Sequence, residues 1–119
     1  GLYTENSISI SDNMGRRLEN LIFLHLRRKY KHIFYYKDKG ECDFITMEKN
    51  TVKEAIQVCL TINDENFDRE FNGLLGAMQN LGLKEGYIVT LNQSDLFEKE
   101  DMTIKMLPVH DFFERFSKL

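Results

Sequence analysis

The stretch GECDFITMEKNTVKEAIQVCL, residues 40–60, decides how the chain is read. Two β-favouring runs flank the polar triplet Glu48-Lys49-Asn50, so a strand over residues 41–47, a turn, and a strand over residues 54–62 are expected. Strand alternation puts Glu41, Asp43, Ile45 and Met47 on one face of the first run, and Cys42, Phe44 and Thr46 on the other. In the second run Ala55, Gln57 and Cys59 share a face, opposite Ile56, Val58 and Leu60. If the two strands pair, Asp43 and Gln57 converge. An aspartate on a face with Ile45 and Met47 needs a partner or a cation, because an unpaired buried carboxylate is costly.

Upstream, residues 1–13 show no sustained period and read as an N-terminal loop. Ser11-Asp12-Asn13 offer N-caps for a helix over residues 14–30, with Leu18, Leu21, Ile22, Leu26 and Tyr30 as its apolar stripe, widened by Phe23 and Leu24. Arg27-Arg28-Lys29 closes that helix, where cations favour the negative end of its dipole. Residues 32–36 form a first strand and Lys37-Asp38-Lys39-Gly40 a turn.

Downstream, Phe67, Phe71, Leu74, Leu75, Met78 and Leu81 give the cleanest amphipathic stripe, ended by Gly82 and Gly86. Residues 87–91 read as a short buried strand, 92–101 as a polar loop and 103–107 as a fifth strand. Pro108 opens a last helix containing Phe112, Phe113 and Phe116. The order predicts an α/β fold, a mixed central sheet flanked by helices. No repeat or linker divides residues 14–119.

The 119 residues are 42% hydrophobic and 29% charged, which suits one folded domain. No apolar run approaches the ~20 residues of a membrane span. The opening Gly1-Leu2-Tyr3-Thr4-Glu5 lacks a signal-peptide profile and an initiator Met, which fits a processed chain or a piece of a longer one. Cys42 and Cys59 read as buried free thiols, and the expected location is cytoplasmic. The net charge of −3 is lopsided: residues 1–40 carry eight Lys/Arg against four acids, and residues 41–119 carry eight against fifteen. Such asymmetry marks either a nucleic-acid-facing side or a solvated helix surface.

Glu19 lies on the first helix close to its apolar stripe, so Glu19, Asp43 and Gln57 can meet where that helix joins the hairpin. A hard divalent cation is held by such oxygen clusters and activates water for phosphodiester attack. A nearby lysine usually assists. No CxxC or HxxxH spacing points to zinc, and none of His25, His32 and His110 is placed to poise a thiolate.

The Asp43 strand followed by Gln57-x-Cys59, with Glu19 upstream, resembles a degenerate PD-(D/E)xK restriction-endonuclease-like core. More narrowly, residues 14–114 are similar to the nuclease-like C-terminal domain of a family of prokaryotic AAA-type ATPases. The similarity runs through Gly15-Arg16-Arg17-Leu18-Glu19-Asn20-Leu21-Ile22-Phe23, Gly40-Glu41-Cys42-Asp43-Phe44, Ile56-Gln57-Val58-Cys59, Arg69-Glu70-Phe71 and Leu107-Pro108. Gly1-Leu2 is similar to an element that precedes this core. The resemblance implies the αβββαβ nuclease core and an N-terminal P-loop ATPase module in the intact protein. The chain itself contains no GxxxxGK[ST].

By position the resemblance makes Glu19, Asp43 and Gln57 the catalytic set, with Asp43, Glu19 and the Val58 carbonyl holding Mg²⁺ or Mn²⁺. Gln57 stands where the second acid belongs and Cys59 where the lysine belongs. Lys53 is about 13 Å along the strand from Gln57, too far to substitute, whereas Arg69 beside Glu70 is a better stand-in. Arg16, Arg17, Arg27 and Arg28 would hold DNA phosphates, with salt-sensitive binding. Two functions follow: a nucleic-acid-binding domain with a degenerate metal-dependent phosphodiesterase site, or a non-catalytic module that regulates the attached ATPase through protein or DNA contacts. A dimerisation domain is a third, and would show a large exposed apolar patch, with the Phe112, Phe113 and Phe116 helix as its candidate.

Overall fold

A computed structural model describes residues 2–38 and 40–117, with side chains over 13–38 and 40–115. Gly1, Lys39 of the expected turn and the side chain of Phe116 lie outside the described residues. The elements run α1 (Leu2–Arg27), β1 (His32–Lys37), β2 (Glu41–Glu48), β3 (Thr51–Val58), α2 (Phe67–Leu81), β4 (Glu85–Thr90), β5 (Asp95–Lys99), β6 (Met102–Pro108) and α3 (Val109–Ser117). The strands form one mixed sheet in the order β1-β2-β3-β4-β6-β5. The meander β1-β2-β3 is antiparallel, α2 carries the chain over to a parallel β4, and β6 inserts between β4 and β5. Among the described residues no helix is long and apolar enough to cross a membrane.

Helices cover both faces, which fits the α/β expectation. On one face Leu18, Ile22 and Leu26 of α1 and Phe112 of α3 pack on Ile56, Val58, Tyr87 and Val89. On the other, Leu74, Leu75, Ala77 and Met78 of α2 pack on Ala55, Ile88, Ile104 and Met106. α2 ends where expected, with Gly82 in the left-handed conformation at φ 72° and its N–H on the Met78 carbonyl. The tight turn between β2 and β3 places both Lys49 (φ 52°) and Asn50 (φ 65°) in that same region, as two-residue hairpin turns require.

Four expectations need correction. Residues 2–13 are helical rather than a loop: no Pro or Gly interrupts Leu2 to Asn13, and Ser, Asn and Asp each cost only tenths of a kcal/mol inside a helix. Leu21 and Leu24 point outward, about half exposed, because the inward stripe of α1 is Leu18, Ile22 and Leu26, spaced by four. The stretch 92–101 holds β5, an edge strand against β6. Finally, strict alternation in β2 fails. Phe34 pairs with Ile45 and Tyr36 with Cys42, so two steps in β1 match three in β2. That bulge brings Cys42 and Ile45 to the α2 side and leaves Phe44 on the α1 side.

Candidate functional site

The β2–β3 ladder stops at Phe44 and Ile56. Past that point side chains continue it. The Asp43 N–H donates to Gln57 Oε1 at 3.0 Å, and the Val58 N–H donates to Asp43 Oδ2 at 2.8 Å. Each residue's side chain thus accepts a backbone donor from the opposite strand, which satisfies N–H groups that the end of the ladder would otherwise leave unpaired.

Gln57, 2% exposed, does more. Its Nε2 donates to the carbonyl of Glu41 at 2.8 Å and to that of Glu70 at 3.1 Å. One amide therefore ties together β3, the start of β2 and the first turn of α2. Gly73 lets α2 come this close: a Cβ there would sit 2.3 Å from the Glu41 carbonyl oxygen and 3.1 Å from Gln57 Nε2. Gly40 lies against the same spot, where a Cβ would be 2.9 Å from the Gly73 Cα.

Beside this junction opens a cleft of about 800 Å³ between α1 and α2. Five carboxylates line it, from Glu19, Glu41, Asp43, Asp68 and Glu70, with one guanidinium, Arg69. Burial pushes the Asp43 carboxyl up to about 7, the Val58 N–H opposes this, and the charges of Glu19, Glu70 and Glu41 add to it. Glu19 is raised by burial, with Arg16 acting against it. Glu70 is raised by burial too, against the pull of Arg69, whose Nη2 lies 3.8 Å from its Oε1.

The fold brings Glu19, Asp43, Gln57 and Val58 together around one cleft. It also adds Glu41 and Gly73, which sequence reasoning did not single out. The two interior glycines of α2, Gly73 and Gly76, were the available signal, since a helical glycine can mark close backbone approach, but the sequence does not say which of them does. Cys59, which the resemblance sets where a lysine would stand, is half-buried, not buried as expected, because β3 has ended at Val58. Burial pushes its thiol up to about 11, and its Sγ sits 3.3 Å from the Thr61 carbonyl, so it supplies no cation to the cleft.

Where the resemblance places a second acid, this chain has the Gln57 amide. The Gln57 amide oxygen is engaged by the Asp43 N–H, and its nitrogen by two carbonyls. Among the described residues no three His, Cys, Asp or Glu side chains form a metal-holding group. Arg16, Arg17 and Arg27 of α1 and Arg28 just after it are all exposed, and Arg27 Nη1 hydrogen-bonds the Lys31 carbonyl beyond the helix end.

No protein-family profile matches the chain. The chain is 40% identical to an uncharacterised protein, MJ1544, of Methanocaldococcus jannaschii. The match covers 78% of this chain, and the chain spans only 22% of the length of that relative.

Proposed function

We propose that this is a restriction-endonuclease-like domain whose cleft does not cleave phosphodiesters, and that it serves a longer polypeptide with an ATPase module as a non-catalytic interaction module. The observation that carries this reading is Gln57. At the position of the second acid stands an amide whose oxygen and nitrogen are both tied into the backbone. A carboxylate there could not donate to the Glu41 and Glu70 carbonyls, so the site's architecture depends on its not being an acid. Cys59, with a protonated thiol and no charge, leaves the lysine role empty. The share of the relative's length outside the match is consistent with further modules.

The test is cleavage of supercoiled plasmid and single-stranded DNA with Mg²⁺ and with Mn²⁺, wild type beside Asp43→Ala. No nicking by either protein is expected. Metal-dependent nicking that disappears in Asp43→Ala would return the domain to the phosphodiesterase reading and the search to Arg69. DNA affinity measured alongside, at low and at moderate salt, separates a module that holds DNA through the α1 arginines from one that contacts protein alone.

A further inference from the structure

α1 carries a second stripe besides the one it buries. Met14, Arg17, Leu21, Leu24 and Arg28 follow at intervals of 3, 4, 3 and 4 residues, the spacing of one helical face, with Arg28 in the turn that continues the helix. That face lies about a third of a turn from Leu18, Ile22 and Leu26, so the sheet does not cover it. Met14 is 43%, Leu21 51% and Leu24 52% exposed. α3 borders the stripe, the Phe113 ring lying 4.8 Å from that of His25. Between the two helices opens a groove of about 470 Å³, lined by Leu21, Leu24, His25, Arg28, Phe113 and Glu114. A furrow between two helices with leucines along it is the shape that seats a third helix.

The charges select the occupant. Arg17 and Arg28 stand at either end of the leucine pair, and Arg16 and Arg27 lie further round the exposed arc of α1. A second copy of this stripe fits badly. In a parallel pair Arg17 would face Arg17 and Arg28 would face Arg28. In an antiparallel pair centred on the leucines Arg17 would face Arg28, twice. Both arrangements set like charges opposite one another, whereas a helix with acids at those positions turns each repulsion into attraction. Duplex DNA would answer the arginines but press the leucines against sugar and phosphate. We propose that the groove seats an amphipathic helix from the remainder of the longer polypeptide, its apolar side chains on Leu21, Leu24 and Phe113 and its acids against Arg17 and Arg28. This rests on the reading of the chain as an interaction module of a longer polypeptide. The relative it matches leaves length for such a helix, since the chain spans 22% of it.

Hydroxyl-radical footprinting of the intact polypeptide beside the 119-residue chain tests this. Met14, Leu21 and Leu24 should oxidise several-fold more slowly in the intact protein. A synthetic helical peptide with leucine along one face and glutamate at its borders should protect the same residues in the 119-residue chain. Its lysine counterpart should bind about tenfold more weakly. Arg17→Glu combined with Arg28→Glu should reverse that preference, a result that misfolding cannot give. Leu24→Glu, at an exposed position, should remove peptide binding and leave the thermal melt in place. Equal oxidation of the stripe in the two proteins overturns the proposal, as does equal binding of the two peptides. Protection by duplex DNA, or by raising the concentration of the chain alone, but not by the acidic peptide overturns it too and names the other occupant. Plasmid nicking bears only on the non-catalytic reading: nicking with the stripe protected sinks that reading and keeps the docked helix, and no nicking with the stripe open does the reverse.

Discussion

At the scale of the residue, Gln57 and Asp43 make opposite demands on any substitution. Gln57→Glu keeps an acceptor for the Asp43 N–H but loses both donors and sets a carboxylate against two carbonyls. It should destabilise the fold by about 3–5 kcal/mol at neutral pH, read from urea unfolding. A metal site would predict little loss and a gain on adding Mn²⁺. Asp43 behaves differently because its carboxyl is raised in the folded state, from an ordinary 3.8 to about 7. The folded chain therefore holds a proton that the unfolded chain releases. The stability this confers is complete below the unfolded value and is lost as pH rises from near 4 through 7. Asp43→Asn keeps an oxygen for the Val58 N–H and has no charge to bury. It should exceed wild type by about 2–4 kcal/mol at pH 8, with the gap closing toward pH 4 in parallel melts. The convergence of Asp43 with Gln57 was legible in the sequence, since it needs only two paired strands. The direction of the amide was not, because it depends on a bulge and on the reach of α2.

At the scale of the element, α2 offers a controlled comparison within three residues. A Cβ at Gly73 meets the Glu41 carbonyl, so Gly73→Ala must lift the helix from β2 and should cost about 1–3 kcal/mol despite alanine's better helix propensity. At Gly76 nothing lies within 4 Å, and Gly76→Ala should stabilise by about 0.5–1 kcal/mol. Thermal melts of the two variants, moving in opposite directions, would establish that close approach and not helicity fixes Gly73. Helices with one strong apolar stripe, such as α2, were legible from periodicity alone. β5 was not: only Phe97 turns inward, against Phe67 and Phe71, so the strand leaves no alternation to read. Its turn gave no sign either, since Glu100, not glycine, takes the positive φ of 58°. The early start of α1 was hidden because Ser11-Asp12-Asn13 look like caps and are in fact interior.

At the scale of the whole molecule, stability rests on two apolar layers that share the sheet. α3 contributes Phe112, fully buried against the α1 side. Phe112→Ala should cost about 3–5 kcal/mol in a single cooperative transition if both layers melt together. A separate early phase would mean that the α1–α3 side unfolds by itself. The α/β plan followed from element order, but the position of β6 could not, because nothing in a strand's own residues says which neighbour it takes.

That position has a consequence for the chain as it leaves the ribosome. β4 is buried almost end to end and needs a neighbour on each side, and its second neighbour, β6, is translated only after β5. Until Pro108 has emerged, a nascent chain that has already docked α2 carries an open apolar strand whose partner does not yet exist. The domain can close only once β6 has emerged, and a pause between residues 91 and 102 is where a newborn copy is most exposed to chaperones and proteases.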